Sequence, residues 1–505
     1  MQKAKALIFS LLLLVFSFGL SSEEKAPTQE KPQETVNTTH TIVMGGETVT
    51  YNASAGILTL KDEQNQNKEK ANIFYVAYTK PGTPENLSKR PIAFCFNGGP
   101  GSSAIWLNIG FLGPKQIVLN EQGCAVPPYS LADNPLSLLS ITDLVFIDPV
   151  STGYSKALAG EDPKQFHSVQ PDIEWMAEFI RLYTTHFDRW RSPKFIIGES
   201  YGTLRAAGVA EHLHTEHHLY VNGVVLISSL LNFQTIVRTH SDEGGNDLPY
   251  ILSLPTYAAT AWYHKMLHTD LQKKTLPALL KEVETYSIEH YSIALLKGNQ
   301  LTQFEQEAVL HKLHDYTGIP KEYLKQVNMR MTPSRFCKEL LRKNHHLVGR
   351  FDSRVVGVAA DRGCGNTEFD PSLDGIAGGF KAAYIDYIRN DLQWKNDNNY
   401  NILGDVWPWN YSQSASNQYL NLSQKLVEVM TKNPNLNVFV ASGYYDLATP
   451  YFATSYTFDH LKLDPSLRSH ITLNYYECGH LIYTHQPSMV KLAEDLNAFI
   501  KKTCK

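Results

Sequence analysis

The chain of 505 residues carries 46 Lys plus Arg against 50 Asp plus Glu, a formal net charge of -4, with 43% hydrophobic and 19% charged residues. This is a globular composition, long enough for several domains or for one large α/β domain with an insertion. Near-neutral charge without a long Lys/Arg run argues against nucleic acid or an anionic membrane as the main partner.

Residues 1–22 open with MQKAK, continue with the apolar ALIFSLLLLVFSFGL and end in a small, polar exit between Gly19 and Ser22, the anatomy of a secretory signal. The apolar run is shorter than the roughly 18 residues a comfortable span requires, which leaves an uncleaved anchor as the alternative. No Cys follows it to carry a lipid. The expected location is secreted or periplasmic, with no stable membrane insertion once the signal is removed. Residues 23–39, rich in Glu, Lys, Pro, Gln and Thr, hold too little apolar content to pack and read as a flexible leader.

From His40 the chain alternates. HTIVM, the turn Gly45-Gly46, ETVTYNA, GILTLK and NIFYVAYT predict an antiparallel meander. Continuous apolar runs follow: PIAFCF, DLVFIDPV, KFIIGES, GVVLISS, NVFVASG and ITLNYYECG. Several are separated by helical stretches, which predicts a largely parallel sheet with helices on both faces. Between 234 and 400 helical patterns such as PALLKEVETYSIEHYSIALL dominate, and strand-like runs resume afterwards. The expected organisation is a core built from 40–233 and 401–505, with 234–400 as a helical cap inserted into it. Tyr257, Trp262 and Tyr263 in this insertion read either as a pocket lining or as packed core.

Six cysteines are too few for a disulfide scaffold, and the pair expected if any forms is Cys337 with Cys364. No Cys-x-x-Cys or Cys/His spacing suggests zinc, and the neighbours His345 and His346 have no companion ligands, so neither a metal nor another cofactor is expected. No pattern in the chain speaks to oligomeric state.

The chemistry is announced by Gly198-Glu199-Ser200-Tyr201-Gly202 between the strand-like KFII and the helix-like TLRAAGVAEHLH. Gly-x-Ser-x-Gly at a strand-to-helix turn is the nucleophile elbow of α/β hydrolases, projecting the serine hydroxyl above the sheet edge. Such a hydroxyl needs a base and the base an orienting acid, in the chain order Ser, Asp or Glu, His. Asp446, after NVFVASGYY, and His480, after ITLNYYECG, stand at strand ends where they reach the same edge as Ser200. His485, His460 and Asp459 fall in helical patterns and are the weaker alternatives. The N–H of Tyr201 and a second from the loop Asn97 to Gly101, expected at Gly99, supply an oxyanion hole.

The ordered motifs Asn97-Gly98-Gly99-Pro100-Gly101, Pro149-Val150-Ser151-Thr152-Gly153-Tyr154-Ser155, Gly198 to Gly202 and Gly479-His480 resemble those of the serine carboxypeptidase family. The resemblance is clearest over 91–231 and 437–486. It implies removal of a C-terminal residue from a peptide substrate, with Asn97 and Glu199 matching residues that hydrogen-bond the substrate carboxylate, and Gly99 and Tyr201 matching the oxyanion donors. Glu199 can serve only when protonated, since two carboxylates repel, so acid pH is expected to favour peptide cleavage. Two positions depart from the family pattern. Phe111 stands where an acid usually precedes Leu112-Gly113-Pro114, and Ser102 where a Cys usually follows Gly-Pro-Gly. The first of these motivates an alternative, a secreted esterase or acyltransferase on the same scaffold.

Overall fold

The computed structural model describes residues 35–63, 65–237, 245–411 and 418–504. The expected signal segment 1–22 and most of the leader lie outside the described residues. The leader's end is corrected: β1 (Val36–Met44) begins four residues before His40 and pairs antiparallel along its whole length with β2 (Glu47–Asp62). Alternating exposed and partly buried residues give β1 a face to lay on the sheet. Met44 pairs with Glu47 across Gly45 and Gly46, both at positive φ (59° and 84°), the two-residue turn whose twist suits a hairpin.

β2 pairs antiparallel with β3 (Lys68–Thr79), and β3 pairs in turn with β5 (Asp143–Ile147). Beyond it β4 (Ile92–Phe96), β6 (Lys194–Glu199), β7 (Gly223–Ile227), β8 (Asn437–Gly443) and β9 (Ile471–Tyr476) run parallel. The order is β1-β2-β3-β5-β4-β6-β7-β8-β9, with the short strand Lys156–Ala157 on the side of β3. Every residue of β4, β5 and β7 is buried, which explains why their sequences are unbroken apolar runs rather than alternating ones.

Alternate residues of each strand serve opposite layers. Phe94 and Ile196 face a cluster completed by α1 (Val169–His186), α2 (Tyr201–His217) and the helix Ser423–Lys432. Cys95 and Ile197 face the other, completed by helices Pro371–Asn390 and Gln486–Thr503. This is the α/β-hydrolase architecture with a mainly helical cap. The cap differs in detail from the sequence expectation. Pro371–Asn390, placed in the insertion by its position in the chain, buries Ile376, Phe380, Tyr384 and Tyr387 against the sheet layer. The insertion also holds a small antiparallel pair, His346–Val348 with Val356–Val358.

The cap's own core gathers Tyr257, Leu279, Val283 and Leu310 from helices Leu248–Tyr263, Leu276–Tyr286 and Gln303–Thr317. The last of these starts with a capping box between Thr302 and Glu305. Tyr257 stacks on Phe336 at 4.2 Å and donates to the Met331 carbonyl, so it is packed core, whereas Tyr263 is exposed. All six cysteines are free thiols, which corrects the Cys337–Cys364 pairing: Cys337 is buried with its Sγ against the Gly349 carbonyl. Among the described residues no helix is long and apolar enough to cross a membrane, and no group of three metal-ligating side chains occurs.

Candidate active site

β6 delivers Glu199 and Ser200 to the sheet edge, where α2 starts at once with Tyr201. The turn between them is cramped. Ser200 adopts φ 60° and ψ -129°, a sparsely populated conformation for a non-glycine residue, and its N–H is held by the Ile227 carbonyl at 2.9 Å. A Cβ on Gly198 would collide with the Gly202 carbonyl, so the motif's first small residue is a spatial requirement. The strained turn aims the Ser200 side chain away from the backbone ladder and into a cavity of about 440 Å3.

β8 and β9 bring the acid and the base together. Asp446, fully buried, lies 2.6 Å through Oδ2 from His480 Nδ1. Thr449 Oγ1 also donates to Oδ2, and the Ala448 and Thr449 N–H groups donate to Oδ1. Four donors lock this carboxyl in rotation and offset the cost of burying its oxygens. Its bond at Nδ1 leaves His480 Nε2 for the cavity, the tautomer a general base needs. His480 itself is clamped at its backbone: its N–H donates to Phe351 O at 2.6 Å, its carbonyl accepts from Ser228 Oγ at 2.6 Å, and the Phe351 ring packs on the imidazole at 4.8 Å.

The glycine-rich loop after β4 passes directly over the N-terminus of α2. A Cβ on Gly98 would stand 2.5 Å from Tyr201 N and 2.6 Å from Gly202 N, so only glycine lets the two strand ends meet. As the first helical residue, Tyr201 has an N–H without an intrahelical acceptor. Arg205 Nη1 binds the Asn97 carbonyl at 2.6 Å and pairs through Nε with Asp172 at 2.8 Å, tying the loop to α1 and α2 from below. At Ser102 the hydroxyl accepts from Trp106 Nε1 at 2.9 Å, a hydrogen bond where the family pattern has a cysteine.

Asn97 and Glu199, distant in sequence, meet on the cavity floor: Asn97 Nδ2 donates to Glu199 Oε1 at 2.7 Å, and Tyr483 OH donates to the same oxygen at 3.2 Å. Glu199 Oε2 is buried and has no partner among the described residues. Burial, only partly offset by His480, Tyr483 and Asn97, pushes the Glu199 carboxyl up to about 7. Phe111 is fully buried and stacks parallel on Tyr483 at 6.0 Å, so an aromatic wall backs Glu199 where the family pattern has an acid.

Ser200, His480, Asn97, Gly99, Tyr201 and Glu199 thus line one cavity, and Asp446 stands behind His480. The alternatives lie elsewhere. His460 stacks on Tyr456 at the exposed end of Tyr451–Asp459, Asp459 is exposed beside it, and His485 bonds Ser488 at the start of Gln486–Thr503. Sequence reasoning passed over Thr449, Tyr483 and Phe351. The first two sit within three residues of Asp446 and His480, a weak signal. Phe351 comes from the insertion and has none.

The serine carboxypeptidase family model matches residues 46–475. Serine carboxypeptidase-like 22 of Arabidopsis thaliana is 21% identical over 465 residues, covering 90% of this chain and 86% of that protein. Retinoid-inducible serine carboxypeptidase of Rattus norvegicus is 27% identical over 150 residues, 29% of this chain and 30% of that protein. Among solved structures, Kex1(delta)p, a prohormone-processing carboxypeptidase from Saccharomyces cerevisiae, superposes with a TM-score of 0.55 at 15% identity, covering 89% of this chain and 91% of its own; it shares the fold.

Proposed function

Since the chain belongs to the serine carboxypeptidase family, we propose that it removes the C-terminal residue of peptides through an acyl-enzyme, with Ser200 as nucleophile, His480 as general base and acid, and Asp446 as orienting acid. Ser200 Oγ attacks the scissile carbonyl carbon while His480 Nε2 takes its proton. The developing oxyanion is held by the N–H groups of Tyr201 and Gly99. Collapse breaks the C–N bond, His480 returns the proton to the leaving amine, and the C-terminal amino acid departs. Water, deprotonated by His480, then cleaves the Ser200 ester and restores the hydroxyl.

The observation that carries the reading is Glu199. Its carboxyl is neutral below about 7 and anchored through Oε1, which leaves an Oε2 proton without an acceptor among the described residues. A substrate carboxylate beside Ser200 supplies that acceptor, and the remaining Nδ2 hydrogen of Asn97 supplies a second donor. The group loses its proton as pH rises through about 7 and then repels the substrate, so cleavage is favoured on the acid side. The apolar N-terminal segment supports action after export.

Phe111 favours a second reading, an esterase or acyltransferase that uses the same serine and ignores a terminal carboxylate. One experiment separates them: release of the C-terminal residue from N-blocked dipeptides as free acid and as amide, from pH 4 to 8, with Ser200→Ala as control. Preference for the free acid, fading toward pH 8, is the expected result. Equal turnover of acid, amide and simple ester assigns the second reading. The Ser200→Ala control loses on the order of 10⁴ to 10⁶ in turnover.

A further inference from the structure

Beside the cavity at Ser200 lies a second space of about 240 Å3, its arm, with Ile236, Val237, Arg350 and Ala448 lining both. Neither Asn97 nor Glu199 lines the arm. With a peptide's terminal carboxylate at those residues and its scissile carbonyl at Ser200, the residues preceding the scissile bond are the part left to enter it.

Two arginines and two acids line the arm, and among the described residues no ion pair joins them. Arg350, in the link between the strands His346–Val348 and Val356–Val358, and Arg335, on the helix Pro333–Glu339, both line it and are half-buried. Their neighbours in the cap are paired: Lys338 with Glu368, Arg342 with Glu339, Arg354 with Asp352. Arg335 and Arg350 have no carboxylate partner among the described residues.

The acids in the wall are already committed. Asp370 accepts from the Arg350, Phe351 and Ser372 N–H groups and from Ser372 Oγ, and Glu368 binds Lys338 and the Asp361 N–H. The Arg350 guanidinium lies 4.9 Å over the Phe351 ring, which itself packs on His480, so this cation is held close to the reacting centre. An unpaired guanidinium in a partly enclosed cleft is a receptor for carboxylate, with a fork that matches its two oxygens.

We propose that the arm is a subsite for an acidic side chain on the acyl side of the scissile bond, recognised by Arg350 with Arg335 contributing charge deeper in. The proposal rests on the carboxypeptidase reading and specifies its substrate class: peptides with Glu or Asp just before the residue removed.

The test compares kcat/KM at pH 6 for two N-blocked dipeptides, Glu-Phe and Gln-Phe, in the wild type, Arg350→Gln and Arg335→Gln. At this pH the substrate's glutamate side chain is ionised. The expected Glu/Gln ratio is about tenfold or more in the wild type, near one in Arg350→Gln and intermediate in Arg335→Gln. Because the ratio is taken within each protein, loss of folded enzyme cancels. The wild-type ratio is also expected to fall severalfold between about 0.05 and 0.5 M salt, a readout that requires no variant.

A wild-type ratio near one with the neutral peptide cleaved overturns the subsite alone. So does a ratio that survives in both variants or is indifferent to salt. Absence of release from either peptide overturns both the subsite and the carboxypeptidase reading.

Discussion

Replacing Glu199 by Gln tests the floor of the site, because it keeps the shape and a hydrogen-bond donor but removes the titration. With its carboxyl at about 7, Glu199 is about 99% protonated at pH 5 and about 9% at pH 8. If only the protonated form accepts a peptide carboxylate, the wild type loses about tenfold in kcat/KM for a free-acid dipeptide over that range from this group alone. Glu199→Gln lacks this loss, so its activity relative to wild type should rise about tenfold between pH 5 and pH 8. His480 interacts electrostatically with Glu199, so the substitution also alters the surroundings of the base. The dipeptide amide, which offers no carboxylate, removes that contribution when the same variant-to-wild-type ratio is taken on it. The assay is initial-rate release of the C-terminal residue, free acid and amide, at half-unit pH steps. A free-acid ratio that stays constant within twofold after division by the amide ratio refutes the assignment of Glu199 as the carboxylate gate.

Tyr483→Phe removes one donor to Glu199 Oε1 and with it an influence that lowers that carboxyl's pKa; the alkaline limb of free-acid cleavage should move to higher pH, read from the same profiles. Arg205→Met strands the buried Asp172 and frees the Asn97 carbonyl, and a loss of about 3–5 kcal/mol in denaturant unfolding is expected, with KM rising more than kcat falls in whatever folds. Asp148 is buried, held by the Ala104 N–H and Tyr400 OH at Oδ1, and burial raises its carboxyl to about 7. A raised carboxyl keeps its proton in the fold, so its contribution is complete below about pH 4 and is lost as pH rises through about 7. Asp148→Asn should therefore flatten the fall in Tm between pH 4 and 8 by the equivalent of at most about 4 kcal/mol, measured by thermal melts at both ends.

Much of the site was legible because its motifs are short-range geometry. Ser200 could be found from five letters, since a strand that turns into a helix within one residue tolerates only small neighbours at Gly198 and Gly202. Asp446 and His480 were legible as residues at the ends of apolar runs, because the C-terminal edge of a parallel sheet is where strand-end side chains converge. The meander and its Gly45-Gly46 turn were legible for the same local reason. The helix Pro371–Asn390 fell within the helical insertion expected over 234–400 and was not assigned to the sheet layer, because periodicity reports that a helix has a buried face and not what covers it. Nor could spacing reveal that Phe351, in the insertion, would hold His480 from both backbone and ring.

Taken alone, then, the sequence determined where a hydroxyl on an elbow, an imidazole and two carboxyls stand at strand ends, each specified by backbone constraints a few residues long. Only the tertiary structure decided the state of those groups and their surroundings. Glu199 is held neutral up to about 7 because burial among residues remote from it in the chain outweighs the opposing influence of His480, Tyr483 and Asn97. The Arg350 guanidinium has no carboxylate partner among the described residues because Asp370 bonds backbone N–H groups and Ser372, and Glu368 bonds Lys338 and the Asp361 N–H. Desolvation and charge balance are sums over neighbours in space, and the order of residues along a chain does not contain those neighbours until the chain has folded.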